Sequence, residues 1–289
     1  MFVCYRRLLV SLSLLILTLR ALAGPHADHV FIISLDGGKP AVIQQSPMPV
    51  LNQLLAEGAH TWSAQTIVPS KTLPSHVSML TGVDPAKHHV LWNDWIPTNG
   101  LVQVPTIFAE AKAADLSTVM FVGKEKFRHL LVPGTVDDFI FDRSDSQMVS
   151  KVVAGETKIV KEGTVLARFI ARDAAHYIME HKPNLCFIHF TDADDVGHKY
   201  GWGSPEQIQA FTQMDGDIGV VVKAIREAGI APQSVLIISA DHGGHGKSHG
   251  LNTPEDMTIP WIVWGAGVKH GFEIKAPVVT YDTDRKSVV

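Results

Sequence analysis

Five short apolar runs punctuate the chain: His29–Leu35, Ser117–Val122, Asn184–Phe190, Ser234–Ala240 and Thr258–Gly265. Each is nearly continuous in apolar residues, which is the pattern of a strand buried on both faces of a parallel sheet. Longer segments between them carry apolar residues at helical spacing. Pro49–Gly58 is one, with Gly58 as its stop; Thr164–His181 is a second; Ser204–Gly229 is a third, opened by Ser204-Pro205-Glu206. Strands alternating with helices predict an α/β fold, a central and mostly parallel sheet with helices on both faces. Residues 123–162 are less regular and are expected to form a small cap over the site.

The two ends of the chain read differently from its body. Arg6 and Arg7 precede an apolar or small run, Leu8–Leu19, and Ala21-Leu22-Ala23 has the small-x-small form of a cleavage point. Residues 1–23 therefore read as a signal peptide, with a catalytic domain over 24–289 and an exported protein, periplasmic or secreted. The run is short for a membrane span of roughly 20 residues, so no stable span is expected after cleavage; a retained anchor is the rival reading. At the other end Tyr281-Asp282-Thr283 suits the entry to a further helix, yet only six residues follow, the pattern of a chain cut short.

Composition changes this picture little. The chain is 46% hydrophobic and 19% charged with a formal net charge of −4, and it has no basic patch of the kind a nucleic-acid scaffold needs. Of its two cysteines, Cys4 lies in the leader and Cys186 in an apolar run. Cys186 is read as a buried packing residue rather than a nucleophile or a metal ligand.

Polar residues end three of the strands. Asp36 closes the first, in Ser34-Leu35-Asp36-Gly37-Gly38. The cluster Asp192-Ala193-Asp194-Asp195-Val196-Gly197-His198 follows Asn184–Phe190. Asp241-His242-Gly243-Gly244 follows Ser234–Ala240, with His245 and His249 close behind. In open α/β sheets ligands bind outside the carboxyl ends of the strands, so acids and imidazoles converge on one edge. Asp36-Gly37 alone could be a turn pair, and the acidic cluster alone could be a solvated loop. Packed together, such carboxylates repel one another without a cation, and mixed oxygen and nitrogen ligands suit zinc. A hydroxyl-rich segment, Ser70-Lys71-Thr72-Leu73-Pro74-Ser75-His76, could start a helix whose N-terminus favours an anionic phosphate, or simply cap it. Spacing does not choose among Ser70, Thr72 and Ser75, nor between His245 and His249.

Taken in order, these motifs resemble the alkaline phosphatase superfamily, and within it the nucleotide pyrophosphatase/phosphodiesterase group of type I phosphodiesterases, from about His29 to Thr283. The resemblance implies an alkaline-phosphatase-like fold and selects Thr72 as the nucleophile. It aligns Thr81-Gly82 with a Thr-Gly pair and puts Asn93 at the Asn that follows a His-Gly turn. It maps the remaining metal residues onto Asp36, Asp194, His198, Asp241, His242 and His249. Here His88-His89-Val90 replaces the usual His-Gly.

The resemblance further implies two zinc ions per chain. One would be held by Asp194, His198 and His249, the other by Asp36, Asp241 and His242, with Thr72 as a changing ligand. The implied substrate is a small phosphate ester, a phosphodiester or nucleotide pyrophosphate, cleaved through a phosphothreonine with Asn93 donating to a non-bridging oxygen. A sulfatase is disfavoured, because neither a Cys nor an x-Pro-x-Arg segment stands at Thr72. A phosphomonoesterase, a phosphonate-ester hydrolase and an inactive binding protein on the same fold remain as alternatives. Trp92 and Trp95, beside Asn93, could stack on a base or belong to the core or rim.

Overall fold

The first predicted strand, His29–Leu35 (β1), lies inside an eight-stranded sheet and sends alternate residues to opposite faces. Phe31, Ile33 and Leu35 enter one apolar core, and Ile32 enters the other. The computed structural model describes residues 27–141, 148–153, 156–161 and 164–284. The predicted leader and the last five residues lie outside this range, and among the described residues no helix is long and apolar enough to cross a membrane.

The remaining strands are Ala59–Gln65 (β2), Thr118–Val122 (β3), Asp138–Ile140 (β4), Met148–Val153 (β5), Glu156–Lys161 (β6), Leu185–Phe190 (β7), Ser234–Ser239 (β8), Thr258–Gly265 (β9) and Phe272–Glu273 (β10). The helices of seven residues or more are Pro49–Glu57 (α1), Thr72–Thr81 (α2), Ile107–Ala113 (α3), Ala167–His181 (α4), Asp192–Tyr200 (α5) and Pro205–Glu227 (α6). The main sheet runs β10-β2-β9-β8-β1-β7-β3-β4, and β5 pairs with β6 in a separate two-stranded unit. β8, β1, β7, β3 and β4 are parallel; β9 runs antiparallel to both β8 and β2. The sheet is therefore mostly parallel and α/β, as the apolar runs predicted. Residues of α1, α4 and α6 fill the core on one face, and residues of α2 and α3 fill the other.

Register decides what happens at the carboxyl edge. Ser34 of β1 lies opposite His189 of β7 and Ser239 of β8, and Val122 of β3 is also level with His189. Neighbouring parallel strands thus end together, so the residues that follow them meet without long loops. Within the segment expected to cap the site, part joins the sheet as β4, while Lys124, just after β3, reaches the carboxylates described below.

One helix start is supplied from a distance. Helix α1 has Met48 at its N-cap, which offers no side-chain acceptor. Asp215, buried on α6, accepts instead from the main-chain N–H groups of Val50 at 2.9 Å and Leu51 at 2.8 Å. A carboxylate at this end also complements the helix dipole, and the pair of bonds clamps α1 onto α6. Asp215→Ala is expected to cost about 2–3 kcal/mol, the scale of lost charged hydrogen bonds at a helix start. Denaturant unfolding would show it as a lower midpoint at unchanged slope.

Candidate active site

Three strand tips deliver the acids. Asp36 follows β1, Asp241 follows β8, and Asp194 stands in the first turn of α5 directly after β7. All three are buried. The acidic cluster is a helix rather than a loop, because Asp residues in a first turn complement the helix dipole. That helix places Asp194 and His198, four apart, on one face, with 3.4 Å between His198 Nε2 and Asp194 Oδ1. Gly37 turns the chain away after Asp36 with φ of 73°. Its N–H donates to Asp241 Oδ1 at 3.1 Å, and a Cβ there would stand 3.1 Å from the Asp194 main chain. A side chain would therefore push the acids apart.

The imidazoles are oriented alike. His198 Nδ1 donates to Lys247 O at 3.0 Å, His242 Nδ1 to Gly243 O at 2.8 Å, and His249 Nδ1 to Ser70 O at 2.9 Å. Carbonyls only accept, so each ring carries its proton on Nδ1 and presents Nε2 inward, the arrangement typical of metal-binding histidines. The resulting ligand atoms form two triads, Asp194-His198-His249 and Asp36-Asp241-His242, in each of which they lie within 4.8 Å of one another. The triads abut: the His242 and His249 rings stack at 3.6 Å, and His242 Nε2 is 4.0 Å from Asp194 Oδ1.

The inward-facing atoms are left without hydrogen-bond partners. Asp36 Oδ1, Asp194 Oδ1, Asp241 Oδ2 and His242 Nε2 are all buried and have no hydrogen-bond partner among the described residues. Buried polar atoms are rarely abandoned in this way, and four converging on one spot fit cation ligands. The ionisation of the group reflects how closely these charges are crowded. Burial and the nearby Asp36 charge push Asp241 up to about 8. Asp36 is also opposed by burial, but Lys124, His189 and His242 hold it well below the usual carboxylate range. Burial works against a charge on His242 too, yet Asp241 and Asp36 raise it to about 9. Burial and the charge of His242 lower His249 to about 4, so it is neutral at pH 7.

Thr72 opens helix α2 at its first position and is 1% exposed. The helix is tied to both triads: Ser75 Oγ donates to Asp241 O, and Ser70 O receives His249. These bonds also separate the three candidate hydroxyls. Ser70 Oγ is committed to Leu251 O and Ser75 Oγ to Asp241 O, whereas among the described residues no hydrogen bond holds the Thr72 hydroxyl. Asn93 Oδ1 accepts from the Leu73 N–H at 2.8 Å, which pins its amide beside Thr72. In the first turn of this helix Leu73 N–H is taken by Asn93, Pro74 has none and Ser75 N bonds Lys71 O, which leaves the Thr72 N–H without a bond among the described residues.

Several residues here were not singled out from sequence. Lys124 Nζ donates to Asp36 Oδ2 and Asp194 Oδ2, each at 2.6 Å. His189 Nε2 is 3.0 Å from Asp36 Oδ2. Buried Asp256 accepts from Leu251 N at 2.8 Å and bonds His245 Nδ1 at 2.7 Å, closing the loop that presents His249. His245 is thereby placed outside both triads. Trp92 and Trp95 pack on His129, which receives Trp92 Nε1 at 3.2 Å, so the pair shapes the Asn93 turn. Lys124 stands at a strand tip, the same signal that exposed the three acids. Nothing in the sequence pointed to Asp256.

A family model described as type I phosphodiesterase / nucleotide pyrophosphatase matches residues 30–253. The chain belongs to this family. It is 24% identical over 247 residues to human ectonucleotide pyrophosphatase/phosphodiesterase family member 5, covering 82% of this chain and 49% of that relative. It is 20% identical over 229 residues to the Xenopus laevis bis(5'-adenosyl)-triphosphatase enpp4, covering 74% of this chain and 46% of the relative. The chain thus spans about half the length of these curated relatives. Among solved structures, the murine family member 5 in an inactive form bound to AMP superposes with a TM-score of 0.68 at 14% identity, covering 89% of this chain and 92% of that one. A 2-O glycosaminoglycan sulfatase superposes with a TM-score of 0.63 at 15% identity, covering 89% and 68%. The fold is therefore shared by both kinds of enzyme, and the family membership rests on the sequence match.

The turn His88-His89-Val90, which precedes Asn93, has a defined geometry. His88 is buried, with Nε2 2.9 Å from Ser78 Oγ and Nδ1 accepting from Val90 N at 3.0 Å. His89 follows with φ of 59°, the left-handed conformation that glycine adopts without strain. His89→Gly is expected to raise stability by about 1 kcal/mol, seen as a higher melting temperature. A lower melting temperature would mean that the His89 side chain contributes more than its backbone strain costs.

Proposed function

We propose that the protein is an exported, zinc-dependent hydrolase that cleaves phosphodiester or nucleotide pyrophosphate bonds, with Thr72 as nucleophile. The observation that carries this reading is the set of buried, unpartnered acid and imidazole atoms arranged as two abutting triads beside a helix-leading threonine. Family membership and the AMP bound to the murine structure support the substrate class.

Asp194, His198 and His249 would hold one zinc ion, and Asp36, Asp241 and His242 the other. Zinc at such a pair of sites supplies positive charge that lowers a hydroxyl pKa and stabilises attacking and leaving oxygens. The chain's own residues do the rest. Thr72 Oγ1 would release its proton to solvent and form a bond to phosphorus as the leaving oxygen departs with the electron pair of the broken P–O bond, taking up a proton from water. Hydrolysis of the phosphothreonine then restores the hydroxyl. Asn93, with Oδ1 occupied by Leu73 N–H, has its amide N–H₂ to offer a non-bridging oxygen, an aimed donor of the oxyanion type.

Exposure gives the site a direction. The side chain of His198 is 44% exposed, whereas Asp36, Asp241 and His242 are fully buried. Substrate therefore enters over His198, whose ring stands 5.1 Å from that of Trp202.

Thr72→Ala is expected to abolish turnover while zinc content stays near wild type; substantial residual activity would move the nucleophile elsewhere. Asn93→Ala is expected to slow turnover by roughly 10² or more. Because Asn93 also caps Leu73, Asn93→Asp separates the roles, keeping the acceptor and losing the donor. A full-rate Asn93→Asp enzyme would remove the amide from catalysis. Rates on nitrophenyl monoester and diester substrates, measured side by side, decide the substrate class.

A further inference from the structure

Both triads place a carboxylate against the same lysine. Asp36 belongs to one triad and Asp194 to the other, and Lys124 Nζ lies 2.6 Å from Oδ2 of each. The other oxygen of each acid is the one turned inward. Asp36 Oδ1 lies 3.3 Å from His242 Nε2, and Asp194 Oδ1 lies 3.4 Å from His198 Nε2 and 3.7 Å from His249 Nε2. Those same Oδ1 atoms are the buried, unpartnered ones. The lysine therefore occupies one oxygen of each acid and leaves the other free.

We infer that Lys124 is a positioning residue shared by the two metal sites, holding Asp36 and Asp194 as one-oxygen ligands and fixing the distance between them. This rests on the two-triad reading of the proposed function. An ammonium group suits the task, because it is a compact charge with three donors and no acceptor. The lysine is itself fixed in place. It is 10% exposed, and Gly123 before it packs so closely that a Cβ would stand 2.3 Å from Thr191 Cγ2. The contact joins the tip of β3 to residues following β1 and β7, three neighbouring strands of the sheet.

His189 provides the internal comparison. Its Nε2 reaches Asp36 Oδ2, so it bears on only one triad. Partners in this outer position typically contribute 10–100-fold to metal affinity. In the full chain, Lys124→Met is expected to weaken zinc binding at both sites in parallel by that factor, and His189→Gln at one site only. Titration of the metal-stripped protein with zinc against a chelator reads the two affinities without relying on turnover. Lys124→Arg, which keeps the charge and several donors, is expected to recover part of the loss. Should Lys124→Met fail to fold, Lys124→Gln, which keeps an amide donor group but not the charge, is titrated in its place, with a loss at both sites expected again.

Unchanged or tighter zinc binding on removal of the lysine would overturn the inference, tighter binding meaning that it competes with the metal. Loss confined to one site would also overturn it. Wild-type protein holding two zinc ions, with the lysine variant unaltered, removes this inference alone. Wild-type protein holding fewer than one removes the two-metal reading and the shared lysine with it.

Discussion

Three carboxylates buried side by side are the constraint on which the rest of the molecule depends. Asp36, Asp194 and Asp241 share a space with little access to water, where like charges repel strongly and each ion has lost its hydration. The chain's own cations relieve part of this. Lys124 binds two of the acids, and His242 is pushed up to about 9 by its acidic surroundings. Asp241 is still raised to about 8, so the relief is incomplete. A site in which one carboxyl is driven toward its neutral form at neutral pH, while its inward atoms lack partners, is built for additional positive charge.

The sheet makes that concentration of charge possible. Parallel strands end at a common edge, and the register between β7, β1 and β8 brings three acids from positions far apart in the sequence to that edge. The two-sided apolar core holds the strands rigidly, and helix α2 is fastened to the edge through Ser75 and His249. Thr72, between Ser70 and Ser75, keeps its place relative to the acids because these hydrogen bonds tie its segment to Asp241 and His249. The imidazoles follow one design: a backbone carbonyl takes the outer nitrogen and the inner nitrogen is aimed. Rigidity here is a matter of named bonds to the main chain, and this is what a preorganised site requires.

Much of this was legible from residues alone. The run His29–Leu35 appears as β1 with the same boundaries, because a strand buried on both faces leaves an unbroken apolar signature. Asp36, Asp194 and Asp241 were legible because each stands just beyond such a run. Helix α2 was harder to read. All ten of its residues are buried, so no polar face marks a helical period. Strand β2 was missed because it has a register shift between Thr61 and Ala64 and mixes His, Trp, Ser and Gln with small residues. Asp256 gave no signal, since its task is to accept hydrogen bonds within a loop whose path only the fold defines. The choice of Thr72 over Ser70 and Ser75 came from family resemblance; among the described residues the hydroxyls of Ser70 and Ser75 are hydrogen-bonded and that of Thr72 is not.

Lys124 adds to the positive charge of the proposed two-metal site. Two zinc ions against three ligand carboxylates would leave a single positive charge at the site. The buried ammonium lies within hydrogen-bonding distance of two of those carboxylates and adds another. A nucleophilic hydroxyl that loses its proton consumes one positive charge, and the substrate phosphate meets the remainder. On the proposed reading a diester group, singly charged at its bridge, would balance that remainder, and Asn93 would add a neutral donor and no further charge. With the acids of the inner triad sealed from solvent and His198 alone strongly exposed, little water is available to screen the balance. On the proposed two-metal reading, the match of charge between site and phosphate would be felt more strongly than in bulk water and would favour a singly charged diester.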